Sequence, residues 1–156
     1  MCLPTDNFPN FADNFESDEI SFNRSKLLAL LNKTKISISN DDTRHYLNGI
    51  YLHLTESQNR KYLTGVATDS HRLSSSSIEI DTGKSFHAMI LPKKTVFQLC
   101  NLLLDTNEKV LIQTSESKIQ FKIGNTKLIS KVIDGKFPDY RKVVPTDNDK
   151  TLTVIS

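Results

Sequence analysis

Apolar and polar positions along this 156-residue chain fall into two similar cycles. Glu19-Ile20-Ser21-Phe22 alternates as a short strand does. Asn23-Arg24-Ser25-Lys26 then leads into Leu27-Leu28-Ala29-Leu30-Leu31, a run of strong helix formers with an apolar face. Ala88, 69 positions after Glu19, opens the second cycle: Ala88–Leu91 reads as strand, Pro92-Lys93-Lys94-Thr95 intervenes, and Val96–Cys100 starts a helix. Each predicted helix is followed by three predicted strands. They are 46–54, 61–68 and 72–80 in the first half, and 110–114, 118–123 and 127–132 in the second. Turns are expected at Ser115–Ser117 and Gly124-Asn125. The pattern predicts an α+β domain made of a duplicated strand–helix–strand–strand–strand unit, with two helices packed on antiparallel sheets.

The ends fall outside this repeat. Residues 1–18 read as a connector: Pro4, Pro9 and several acids break any periodicity, while Leu3, Phe8, Phe11 and Phe15 give it apolar anchors expected to pack on a surface. Leu152-Thr153-Val154-Ile155-Ser156 resembles the opening strand of a third unit, so 19–145 is expected to be one domain and 146–156 the start of a truncated next one. The parent protein is expected to be longer.

Composition narrows the functions. Residues 1–20 hold five acidic side chains and no Lys or Arg; with a net charge of +2, the other 136 residues carry +7. A basic body suits a polyanionic partner, although scattered lysines also serve solubility. No apolar run approaches the roughly 18 residues of a membrane span, and Met1–Asp6 lacks the pattern of a signal peptide. Cys2 and Cys100 form no C-x-x-C, which points to a reducing cytoplasm, with Cys100 a buried small hydrophobe. His45, His53, His71 and His87 lack ligand spacing and the five glycines stand singly, so neither a metal, a nucleotide site nor another cofactor is expected.

The stretch "ATDSHRLS" (Ala67–Ser74) places Asp69, Ser70 and His71 side by side. A hydrolytic triad needs convergence of side chains from separate segments, and neighbours on a strand diverge. No Gly-x-Ser-x-Gly elbow is present. Asp69, beside a turn or strand end, is instead expected to accept backbone N–H bonds.

Three stretches carry a family resemblance: "RHYLNGI" (Arg44–Ile50), "VATDSHRLS" (Val66–Ser74) and "IDGKFPDYRKVVP" (Ile133–Pro145). In residues, order and spacing they resemble the middle domain of the bacterial beta sliding clamp, the processivity subunit of the replicative DNA polymerase. "LPTDNFPNF" (Leu3–Phe11) is similar to that family's connector between its first and second domains. The paired motifs Thr-Asp-x-His-Arg-Leu and Phe-Pro-Asp-Tyr-Arg are far more specific together than either alone. The resemblance implies a non-catalytic processivity factor: a homodimeric ring of three similar domains per subunit, with helices facing a central hole and sheets outside. It also implies encircled duplex DNA, held without regard to sequence, and short linear motifs of the Gln-Leu-x-Leu-Phe kind. Those motifs would come from the replicative polymerase, the clamp loader and repair polymerases.

Carried over position by position, the motif groove would use Leu47, Thr68, Ser70, His71, Arg72, Leu73, Pro138, Lys142 and Val143. Leu47, Leu73, Pro138 and Val143 would form the apolar socket; His71, Arg72 and Lys142 would form a polar rim. The bland alternative makes Leu73 and Val143 core residues and His71 a surface histidine. The family usually has glycine where this chain has Ser70, and commonly arginine at Lys142. On the DNA side the resemblance implies Lys93 and Lys94, with Arg24 at the matching place before the first helix. It also implies a loop in which Asp41, Arg44, His45 and Tyr46 approach DNA. Asp41 and Asp42 put negative charge in that loop, so turn formation is the competing role there; a solvated helix end is the competing role for Arg24. Two other functions stay open at this stage: a stand-alone basic DNA-binding domain, and a Ser/His hydrolase.

Overall fold

The computed structural model describes residue 15 and residues 17–80, 83–104 and 107–145. The first half comprises β1 (Ile20–Phe22), α1 (Arg24–Thr34), β2 (Gly49–Ser57), β3 (Arg60–Thr68) and β4 (Leu73–Ile80). The second comprises β5 (Met89–Pro92), α2 (Lys93–Leu104), β6 (Val110–Thr114), β7 (Lys118–Ile123) and β8 (Thr126–Lys131). Most of the connector and all of 146–156 lie outside the described residues. Ser17, within the expected connector, is described, and its hydroxyl accepts the Thr114 N–H at 2.7 Å.

Local chemistry sets the boundaries. Asn23 caps α1 by accepting the Lys26 N–H at 3.2 Å, and Pro92, which has no N–H to donate, stands immediately before α2. Gln58 and Asn59, at φ 52° and 60°, make the two-residue turn joining β2 to β3, the backbone hand that suits a twisted hairpin.

The two halves exchange their opening strands. One antiparallel sheet runs β1-β6-β7-β8 and the other β4-β3-β2-β5, so each half's first strand completes the other half's sheet. In the pairing of β1 with β6, Ile20 lies opposite Ile112 and Phe22 opposite Val110; in that of β2 with β5, Gly49 lies opposite Pro92 and Ile50 opposite Leu91. One core joins both helices to both sheets through residues such as Leu27, Leu30, Leu52, Leu99, Leu103, Ile112 and Phe121, all essentially inaccessible. Burying side chains of this size supplies most of the driving force for the fold. Cys100 sits in this core, where burial raises its thiol pKa, as expected of a small hydrophobe.

One strand prediction needs correction. Residues 46–48 do not begin β2; Tyr46 and Leu47 end a 3-10 turn spanning Asp42–Leu47. Asp41 caps that turn by accepting the Thr43 N–H at 2.9 Å, and the Asn48 N–H donates to the His45 carbonyl at 3.0 Å. These local bonds outcompete the apolar alternation that suggested a strand.

Candidate functional site

A smaller apolar cluster lies outside the main core. Leu47, Val66, Ile90 and Phe137 are buried in it, with Tyr46, Tyr51, Leu73, Ile133 and Tyr140 packed against them. The chain reaches it after leaving β8: the Ile133 N–H donates to the Ile90 carbonyl at 2.9 Å, bridging the segment to the outer edge of β5. Aromatic stacking then fastens this segment to β2. Phe137 stacks on Tyr51 with centroids 5.0 Å apart and planes 7° apart, and Tyr51 stacks on His53 at 4.7 Å. Tyr51 and His53 share a face because strand side chains repeat every two residues. His53 Nδ1–H donates to the Leu54 carbonyl at 3.1 Å, which leaves Nε2 to accept the Tyr140 hydroxyl at 3.1 Å. Burial lowers the His53 pKa, consistent with this neutral form.

Beside this cluster opens a cleft of about 610 Å³. Leu47, Thr68, Ser70, His71, Arg72, Leu73, Pro138 and Val143 all line it, which brings together residues from three distant parts of the sequence. Val143 is 69% exposed and Val144 is also exposed, giving an apolar wall open to solvent. Leu73 is half-buried against the smaller cluster, and Leu47 is buried in it.

Lys142 does not join that lining. It ends the short 3-10 turn Tyr140–Lys142; its side chain is 80% exposed and its ammonium lies 3.6 Å from Asp139. Asp139, Tyr140, Val144 and Pro145 line the cleft instead. All four sit inside or beside the Phe-Pro-Asp-Tyr-Arg motif, but nothing in their spacing distinguishes wall from exterior.

The opening of β4 is organised by Asp69. Its carboxylate accepts the backbone N–H groups of His71 and Arg72, both at 3.0 Å, and the Arg72 Nε–H at 3.0 Å. The bond from the His71 N–H, joined by those from Arg72, holds its pKa below the usual carboxylate range. This is the structural role expected of Asp69. Ser70 has φ +76°, in the left-handed region that glycine occupies most readily. Its hydroxyl accepts a 2.6 Å hydrogen bond from Arg44 Nη1. Among the described residues no hydrogen bond joins Ser70 to His71, and Asp69 is directed to backbone groups, so the three do not form a relay.

Arg44 also donates to Asp41 through Nε at 2.9 Å. Asp41 is held to a pKa of about 2, first by the Thr43 hydroxyl and N–H and then by Arg44. The Asp42–Leu47 turn is therefore strapped to the cleft wall at Ser70. Tyr46 is half-buried against the smaller cluster, and His45 Nε2 lies 3.2 Å from the Asp134 carbonyl. Lys93 and Lys94 open α2 on the wall of a second cleft, shared with Asn40 and Asp42. Arg24 does not accompany them: its Nη1 donates to the Leu103 carbonyl at 2.9 Å, at the opposite end of α2. A cation there complements the helix C-terminus.

Comparisons with known proteins place the fold in a family. A family model described as DNA polymerase III beta subunit, central domain, matches residues 21–139. The beta sliding clamp of Caulobacter vibrioides is 39% identical over 153 residues, covering 97% of this chain and 41% of that protein. The Escherichia coli beta sliding clamp is 35% identical over 150 residues, covering 96% and 40%. The crystal structure of the Caulobacter crescentus beta sliding clamp superposes with a TM-score of 0.90 at 38% identity, over 95% of this chain and 40% of that one. This chain thus spans about two fifths of the length of the relatives it matches. With a match over most of its length and a fold shared at this level of identity, the chain belongs to the DNA polymerase III beta subunit family, the beta sliding clamps, with residues 21–139 corresponding to the family's central domain.

Proposed function

We propose that this chain is the motif-docking and DNA-facing middle part of a sliding clamp. The whole protein would close as a homodimeric ring around duplex DNA and tether the replicative polymerase; the clamp loader and repair polymerases would use the same groove. The observation that carries this reading is the cleft itself, where Leu47, Leu73, Pro138 and Val143 meet beside His71 and Arg72. An apolar socket with a polar rim suits a short peptide anchored by leucine or phenylalanine. Such tethering needs no bond chemistry, because a held polymerase rebinds at high effective concentration instead of diffusing away. Lys93 and Lys94 would attract phosphates of any sequence, as a sliding ring requires. Residues 1–18 would connect to a preceding domain and 146–156 would begin the next. None of the helices among the described residues is long and apolar enough to cross a membrane.

Titration of the isotopically labelled chain with a Gln-Leu-x-Leu-Phe peptide tests the docking role by NMR. Shifts centred on Leu47, Thr68–Leu73 and Pro138–Pro145 are expected. Shifts elsewhere, or none at millimolar peptide even with the following domain added, would refute it. Salt-sensitive DNA binding by the isolated chain at submicromolar concentration would favour a stand-alone DNA-binding domain, because a clamp derives its hold from encirclement.

A further inference from the structure

The second cleft, of about 460 Å³, lies beside the first turn of α2 and is lined by none of the motif-cleft residues. Phe97 forms part of its wall and is 42% exposed, the one exposed phenylalanine among the described residues. The ammonium groups of Lys35 and Lys93 stand 5.5 and 5.9 Å from its ring centroid. Lys94 lines the same cleft, and carboxamides of Asn40, Asn48 and Gln98 complete the polar wall. Asn48 Oδ1 is buried without a hydrogen-bond partner. Asp42 is the only carboxylate in this lining, set against Lys93, Lys94 and the Lys35 ammonium over the ring.

These groups match one kind of ligand. An exposed aromatic ring accepts another flat ring once the mobile lysine side chains beside it swing aside, carboxamides pair with the polar edge of that ring, and the ammonium groups answer phosphates attached to it. A base inside a duplex has both faces covered by its neighbours, so the occupant must be unpaired. We propose that Phe97 is a stacking platform for an unpaired nucleobase, with Lys93 and Lys94 holding the phosphates that flank it. The proposal rests on the reading that this end of α2 faces DNA. It adds a means of distinguishing single-stranded from double-stranded segments at the same surface.

The test is an NMR titration of the full chain at low salt with an oligothymidylate of eight nucleotides and with an abasic oligomer of the same length. Aromatic carbon–proton signals of phenylalanine report on the site. The oligothymidylate is expected to bind about fivefold or more tighter than the abasic oligomer, with the Phe97 signal shifted by the stacked base. In Phe97→Leu, which keeps apolar bulk on an exposed helix face, that preference should fall below twofold. Equal binding of the two oligomers by the natural chain, or a preserved preference in Phe97→Leu, overturns the stacking platform alone. Failure of both oligomers to bind at millimolar concentration overturns the DNA-facing reading together with it.

Discussion

Replacing Val143 with alanine tests the proposed docking role of the first cleft separately from the stability of the domain. Val143 is 69% exposed and belongs to neither buried cluster, so its truncation removes little packing from the unbound chain. Valine to alanine deletes two methylene equivalents, worth about 1.6 kcal/mol when fully buried by a ligand. Only the part now in solvent can be newly buried by a docked peptide, which reduces the expected loss to about 1 kcal/mol, or roughly sixfold in affinity. Calorimetric or NMR titration with the Gln-Leu-x-Leu-Phe peptide measures the loss, and a thermal melt checks the fold, whose midpoint should move by no more than about 2 °C. Leu73→Ala is the companion variant, with a larger binding loss accompanied by lower stability because Leu73 also packs on the smaller cluster. A well-folded Val143→Ala protein that binds the peptide within twofold of the natural chain would refute the assignment of this wall as an anchor pocket.

Other outcomes follow from the same geometry. Gly49→Ala should destabilise the fold by about 3 kcal/mol or more in urea unfolding, because a Cβ there would lie 2.2 Å from the Leu91 carbonyl oxygen, and neither backbone can yield without opening the pairing of β2 with β5. An unchanged midpoint would show that the two strands separate easily. His53 titrates below its unfolded value, so the unfolded chain takes up the proton first; stability should hold above about pH 6.5 and fall as pH drops through the window below it. His53→Gln should flatten that fall, and an unaltered pH profile would exclude the histidine as its source. Ser70→Gly relieves a left-handed serine but loses the Arg44 hydrogen bond and gains unfolded-state entropy, so the net change should stay within about 1 kcal/mol. A loss beyond about 2 kcal/mol by chemical denaturation would show that the strap to Arg44 outweighs the backbone strain.

Features that depend on neighbours along the chain are legible in the amino-acid order. Asn23 and Pro92 mark helix starts, the alternation in 110–114 and 118–123 marks strands, and Asp69 next to a turn finds backbone donors without help from elsewhere. The family is legible there too, because motif residues are identities and not geometries. Features that depend on partners far along the chain emerge only on folding. Periodicity shows that Ile20–Phe22 is a strand but not that it pairs with Val110–Ile112 in the other half, since both halves offer strands of the same character. Only the folded chain separates Val143, in the cleft wall, from its neighbour Lys142, which pairs with Asp139 and takes no part in the lining. The stack of Phe137, Tyr51 and His53 likewise joins residues more than 80 positions apart, and the strap from Arg44 to Ser70 spans 26. Local propensity fixes each element through bonds a few residues long, whereas a docking surface is assembled by burial of side chains whose partners the chain meets only after it has folded.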